Sequence, residues 1–214
     1  MIEPVEFIKN YCDFSDPHNV WIMKGITRNK DNDENGVKFL RRFIINTEDD
    51  IEICRNEIRR MASDVNTNYR LYMSLNARNV VNTAFQFQKK LIDVSIGLAK
   101  GHEDALNLSK KVGSLWKTEL EQRCNRGTKR ILLDIDNCQD GIKIDEISHY
   151  IERDCKTVIH CIRKTVTGYA IVIDACDTRG LLTFCCKELH VDAGIQRDSM
   201  VFVEKWKGLL YDSY

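Results

Sequence analysis

Asp134 and Asp136 close an apolar run, Ile131-Leu132-Leu133-Asp134-Ile135-Asp136-Asn137. If the run is a strand, its side chains alternate, so both carboxylates leave the same face. Two carboxylates that close repel and raise each other's pKa, which is costly unless a cation sits between them. Oxygen-only ligands suit Mg²⁺ or Mn²⁺, with waters and substrate phosphates completing the shell. The alternative is plainer: the strand ends and both acids are solvated. A third carboxylate is expected from a neighbouring strand, and Asp198, just ahead of Ser199-Met200-Val201-Phe202-Val203, is the best placed, with Asp192 and Asp174 as alternatives.

Lys164-Thr165-Val166-Thr167-Gly168-Tyr169 brings a cation, two hydroxyls and an open backbone into one connection, a chemistry that can hold a triphosphate. It can equally be a bare hairpin turn. Asn76-Ala77-Arg78-Asn79 ends one predicted strand and starts a helix, so Asn76 and Arg78 are expected phosphate contacts, with a capping turn as the alternative. Arg41 and Arg42, with Lys38 and Arg28, could touch single-stranded DNA or RNA, or simply be solvated. His160 sits mid-strand and reads as a sheet residue. Serine-nucleophile, zincin and Walker motifs are all missing from the sequence.

The elements that must position these groups follow from periodicity. Val20–Ile26 and Val37–Ile45 read as a long hairpin around a polar turn. Thr47 precedes three acids and an apolar face at Ile51, Cys54, Ile58 and Met61, which predicts a capped helix ending near Ser63. A strand at 70–75, a helix at 80–99 and a further helix at about 103–123 come next. The second half predicts strands at 130–135, 157–163, 169–173 and 199–204, with helices at 145–153 and 178–189. The expected fold is therefore α/β (α+β): an RRM/ferredoxin-like β-α-β-β-α-β core over 127–207, preceded by a hairpin-plus-helices module over 1–126, within a single domain 1–214. In such a core the last strand can lie beside the first, which is what would carry Asp198 to the aspartate pair.

Composition narrows the rest. The 214 residues carry 32 basic and 32 acidic side chains, so any polyanion site must be a local patch. The apolar runs are too short for a membrane span and the N-terminus is not signal-like, so a cytoplasmic protein is expected. Nine scattered cysteines, an odd number without a C-x-x-C pair, predict reduced thiols and no structural zinc.

Taken in order, Leu71-Tyr72-Met73-Ser74-Leu75-Asn76-Ala77-Arg78, Leu132-Leu133-Asp134-Ile135-Asp136, Thr165-Val166-Thr167-Gly168-Tyr169-Ala170 and Gln196-Arg197-Asp198 resemble the archaeo-eukaryotic primase superfamily, the primase-polymerases. The resemblance covers about residues 69–204, and the D-x-D step is its sharp motif. It implies a metal-dependent nucleotidyltransferase of the kind used in DNA replication. Asp134, Asp136 and Asp198 would hold the metals, and Lys164, Thr165 and Thr167 would lie near a nucleoside triphosphate. Where the family places histidine after glycine and one further residue, this chain has Ala170, a departure that leaves a degenerate, non-synthesising member open. Two other classes stay open: a nucleic-acid- or protein-binding module with an RRM-like sheet, and a haloacid-dehalogenase-like phosphatase using the same D-x-D pair, although the residues after Asp136 depart from that family.

Overall fold

The computed structural model describes residues 3–27, 39–64, 68–165 and 167–206. It is mixed α+β, with two antiparallel sheets and seven α-helices among these residues. The first half supplies α1 (Pro4–Tyr11), β1 (Asn19–Ile26), β2 (Phe39–Ile45), α2 (Glu48–Asp64), β3 (Tyr69–Ser74), the short β4 (Arg78–Asn79), α3 (Val80–Ala99), α4 (Glu103–Ser109) and α5 (Val112–Leu120). The second supplies β5 (Arg130–Asp136), α6 (Gly141–Arg153), β6 (Ile159–Lys164), β7 (Tyr169–Asp174), α7 (Arg179–Thr183), β8 (Asp192–Gln196) and β9 (Met200–Trp206).

β1 is apolar on both faces because both are covered. Trp21 and Met23 point into the core under α1 and α2, while Val20 and Ile22 meet Leu120 of α5. α2 starts as its sequence demands: the Asp50 carboxylate accepts the Asn46 and Thr47 N–H groups at 2.8 and 3.0 Å, the return half of a capping box. The first sheet runs β2-β1-β3-β9, and β4 pairs with β1. The hairpin turn, with Arg28 and Lys38, lies outside the described residues.

The second sheet runs β6-β7-β5-β8, every neighbour antiparallel. β5 has two unlike faces. Ile131, Leu133 and Ile135 pack with Ile144, Ile147 and Ile151 of α6 and Leu181 of α7. Leu132, with Ala170 and Val172 of β7, instead joins the core that contains Trp21, Met73 and Val201 of the first sheet. One apolar core thus spans both sheets.

Three predicted elements differ, one of them the helix expected at 178–189, which is α7 followed by a π-helical turn at Phe184–Glu188. The final strand does not flank β5: β9 pairs with β3 and closes the edge of the first sheet, and β8 takes the place beside β5. β8 reads Asp-Ala-Gly-Ile-Gln, weak strand formers apart from Ile195, and its conformation is fixed by pairing more than by propensity. The expected helix 103–123 is broken at Lys110-Lys111 into α4 and α5, with a 3₁₀ turn at Arg123–Asn125. Ser109 bonds the Leu106 carbonyl and Ser114 the Lys111 carbonyl, local bonds that favour a turn there. None of the described helices is long and apolar enough to cross a membrane.

Candidate functional site

The two sheets are joined firmly at one end of β5 and stand apart at the other. At the joined end, Asn76 is fully buried; its Oδ1 accepts the Arg130 N–H at 2.6 Å and the Thr128 hydroxyl at 3.1 Å, and its Nδ2 donates to the Arg130 carbonyl at 3.1 Å. The Arg130 guanidinium bonds the Tyr11 carbonyl at 3.1 Å and lies over the Tyr11 and Trp21 rings. The Tyr11 hydroxyl, whose pKa burial pushes far up, remains a neutral donor to the Leu75 carbonyl at 2.7 Å.

At the open end lies a cleft of about 380 Å³. Leu132, Asp134, Asp136, Ala170 and Gln196 line it from the second sheet; Arg70, Tyr72, Met200 and Phe202 line it from the first. Asp134 and Asp136 continue the face that Leu132 begins, so the shared face expected from the sequence is found. Asp134 is half-buried and accepts a hydrogen bond from Gln196 Nε2 at 2.8 Å. Asp136 is exposed, with the Thr167 hydroxyl 3.3 Å away. Asn137 follows at φ 54°, a left-handed residue that ends the strand just beyond the acids.

The β6–β7 connection closes over this end. Thr165 N–H donates to the Gly168 carbonyl at 2.8 Å, and Gly168 N–H to the Thr165 hydroxyl at 3.0 Å. A Cβ on Gly168 would fall 1.9 Å from the Ile135 carbonyl oxygen. Glycine is there because the turn rests on the β5 backbone between the two aspartates. Thr165 and Thr167 line the cleft, but Lys164 pairs across the ladder with Tyr169, a residue of the helix-covered face, and lines a separate groove.

The other sequence candidates are placed elsewhere. Asp198 faces Arg78, Oδ1 to Nη2 2.7 Å, with the two side chains 11% and 5% exposed, and it does not line the cleft. Arg78 also donates to the Glu121 and Gln122 carbonyls, so both Arg78 and Asn76 are internal ties rather than phosphate contacts. Their partners lie 43 to 120 residues away, beyond any local reading. Arg42 is bonded to Glu121 at 2.7 Å, while Arg41 lies over Phe43 and 3.7 Å from Glu57. Neighbours on a strand, the two leave opposite faces and form no common stripe. Asp174 pairs across the ladder with Arg130 at the other end of the sheet, and its carboxylate is 2.8 Å from His160 Nε2.

Asp192 is the neighbour that the register brings to the pair. It lies directly across from Asp136, as Gly194 lies across from Asp134, so all three acids share one face. Gly194 leaves the flank of Asp134 open, with no atom within 4 Å of where a Cβ would stand. Among the described residues no three His, Cys, Asp or Glu side chains form a metal cage by themselves. A donor set of two carboxylates, with room for waters and a phosphate, suits Mg²⁺ or Mn²⁺, which are held through one or two carboxylates and substrate oxygens.

Arg70, Tyr72, Gln196 and Phe202 were not singled out by sequence. Arg70 and Tyr72 carried a usable signal, as the polar-capable positions alternating with Leu71 and Met73. Comparison with protein-family models, characterised proteins and solved structures gives no match for this chain.

Proposed function

We propose that the cleft binds a nucleoside triphosphate as its Mg²⁺ or Mn²⁺ complex, in a primase-polymerase-like nucleotidyltransferase or a catalytically silent descendant of one. The observation that carries this reading is the placement of Asp134 and Asp136 on one face of β5, opposite Arg70 and beside the Thr165 and Thr167 hydroxyls. When bound, a divalent cation would neutralise phosphate charge and align the phosphoryl group. The carboxylates of Asp134 and Asp136 would hold that cation, with waters and phosphate oxygens completing its shell. Arg70 and the two hydroxyls orient phosphate oxygens, and Tyr72 and Phe202 offer ring surface to a base. The strand order β6-β7-β5-β8, with α6 and α7 on one face, supports an RRM/ferredoxin-like core.

A second reading, a binding module without chemistry, is favoured by Ala170. It is 3% exposed and lines the cleft, and its methyl group can neither contact a phosphate nor carry a proton. Titration with a fluorescent nucleoside triphosphate in Mn²⁺ tests the shared claim. Asp134→Asn/Asp136→Asn is expected to weaken binding by about tenfold or more, roughly 1.4 kcal/mol, without lowering the melting temperature. Equal binding in EDTA, or in the double variant, contradicts it. Incorporation of nucleotide on a primed template then separates the enzyme from the silent module, and phosphate release from a simple ester identifies a phosphatase instead.

A further inference from the structure

α3 packs through one face and leaves the other bare. Thr83, Val94 and Gly97 are buried on the inner face. There Phe87 meets the Trp116 ring edge-on at 5.5 Å, Lys90 pairs with Glu119 of α5, and Gly97 lies so close to α4 that an added Cβ would fall 2.8 Å from that of Ala105. The outer face carries Val81, Phe85, Gln88, Ile92, Ile96 and Ala99, which fall within about 80° of the helix circumference. All six are exposed, Phe85 by 66% and Ile92 by 60%. Single exposed apolar residues are ordinary on a protein surface; a continuous uncharged stripe about 25 Å long is not.

We propose that this stripe is a dimer interface, on which α3 pairs antiparallel with α3 of a second copy. Its residue order is self-complementary: Val81 and Ile96, like Phe85 and Ile92, are equidistant from a point between Gln88 and Lys89. A two-fold axis at that point sets Phe85 of each copy against Ile92 of the other, and Val81 against Ile96. The two Gln88 amides then meet at the axis, where each can donate to and accept from the other. With no charge on the stripe, a copy meeting itself faces no like-sign repulsion there, and Lys89, which comes nearest its own symmetry mate at the border, has Asp93 one turn away to offset it. An anionic membrane would instead need a row of cations along that border. The four large apolar side chains expose on the order of 400 Å² per copy. With their flanking side chains a symmetric pair buries about 1,200 Å², the lower end of stable interfaces, so association in the micromolar range is expected. No residue of α3 lines the aspartate cleft, so the two sites are tested separately.

The test is sedimentation equilibrium of the full chain across the micromolar range. The mass of the wild type is expected to rise from one copy toward two with concentration. Gln88→Glu, which sets two like charges at the axis, should weaken association by about tenfold or more. Phe85→Glu and Ile92→Lys should each be monomeric alone, and their equimolar mixture should dimerise again, because antiparallel pairing sets the new carboxylate of one chain against the new ammonium of the other. That rescue also shows that both variants are folded. A wild type that stays monomeric throughout overturns the proposal, and if it then sediments with anionic vesicles the stripe belongs to a membrane. A dimer indifferent to Phe85→Glu and Gln88→Glu overturns the α3 face, and single variants that keep the circular dichroism of the parent chain but do not recombine overturn the antiparallel pairing.

Discussion

Asp136 is the last residue of β5 and Asp198 stands just ahead of β9, and the fold treats them in opposite ways. Asp198 is enclosed: Arg78 bonds it at 2.7 Å and Arg123 lies 3.9 Å away, in a place where both members of the main pair are nearly sealed from solvent. Asp136 is exposed beside a second acid of its own strand and across from a third. A carboxylate that has been given a buried guanidinium is serving the structure. Asp134 and Asp136 instead line an open cleft, where a ligand can reach them.

The comparison breaks most visibly at Arg78. Arg78→Ala strands the Asp198 charge in a buried junction and should cost about 3–5 kcal/mol in denaturant unfolding; Arg78→Met/Asp198→Leu, which removes both charges, should recover much of it. A loss below about 1 kcal/mol would show the pair to be effectively solvated and the contrast with Asp136 empty. Gly168→Ala comes next. Its Cβ meets the β5 backbone, so the turn must lift, costing about 1–3 kcal/mol and displacing Thr167 from Asp136. Triphosphate binding should fall with it, and an alanine variant of full stability and affinity would refute the close approach.

The smallest effect is electrostatic. Burial pushes the Glu121 pKa up, but hydrogen bonds from Lys24 and Arg42 outweigh it and hold the carboxyl below its ordinary value of 4.5. A lowered folded-state pKa adds stability that is present above the unfolded value and is lost as pH falls through the folded one. Urea midpoints measured from about pH 6 down to about pH 3.5 should therefore drop less steeply for Glu121→Gln than for the parent chain. Parallel curves would mean that these ion pairs contribute nothing measurable.

What the sequence disclosed was local. Ile131 to Asp136 alternates in a way that names both the strand and the shared face of its aspartates, and α3 spans the Val80–Ala99 stretch expected from its periodicity. The bounds of β1, β2 and α2 are similarly near expectation. What it concealed was pairing at a distance. β8 contains glycine and alanine where a strand pattern would need branched residues, so the ladder that sets Asp192 opposite Asp136 left no trace in composition. Asn76 and Arg78 have the chemistry of phosphate ligands, and only their partners at Arg130 and Asp198 reveal them as ties between the sheets. Arg70 is the reverse case: its alternation with Leu71 and Met73 was legible, and the cleft shows what its guanidinium faces.

The central claim, a cation held by the acids of the open cleft and not by the enclosed one, can be read directly from paramagnetic broadening. In a titration of ¹⁵N-labelled protein with Mn²⁺ in the presence of a non-hydrolysable triphosphate, the amides of Asp134, Ile135, Asp136, Thr167 and Gly194 should broaden first, while those of Arg78 and Asp198 stay sharp. Broadening that begins at Asp198, or none at millimolar Mn²⁺, would contradict the account.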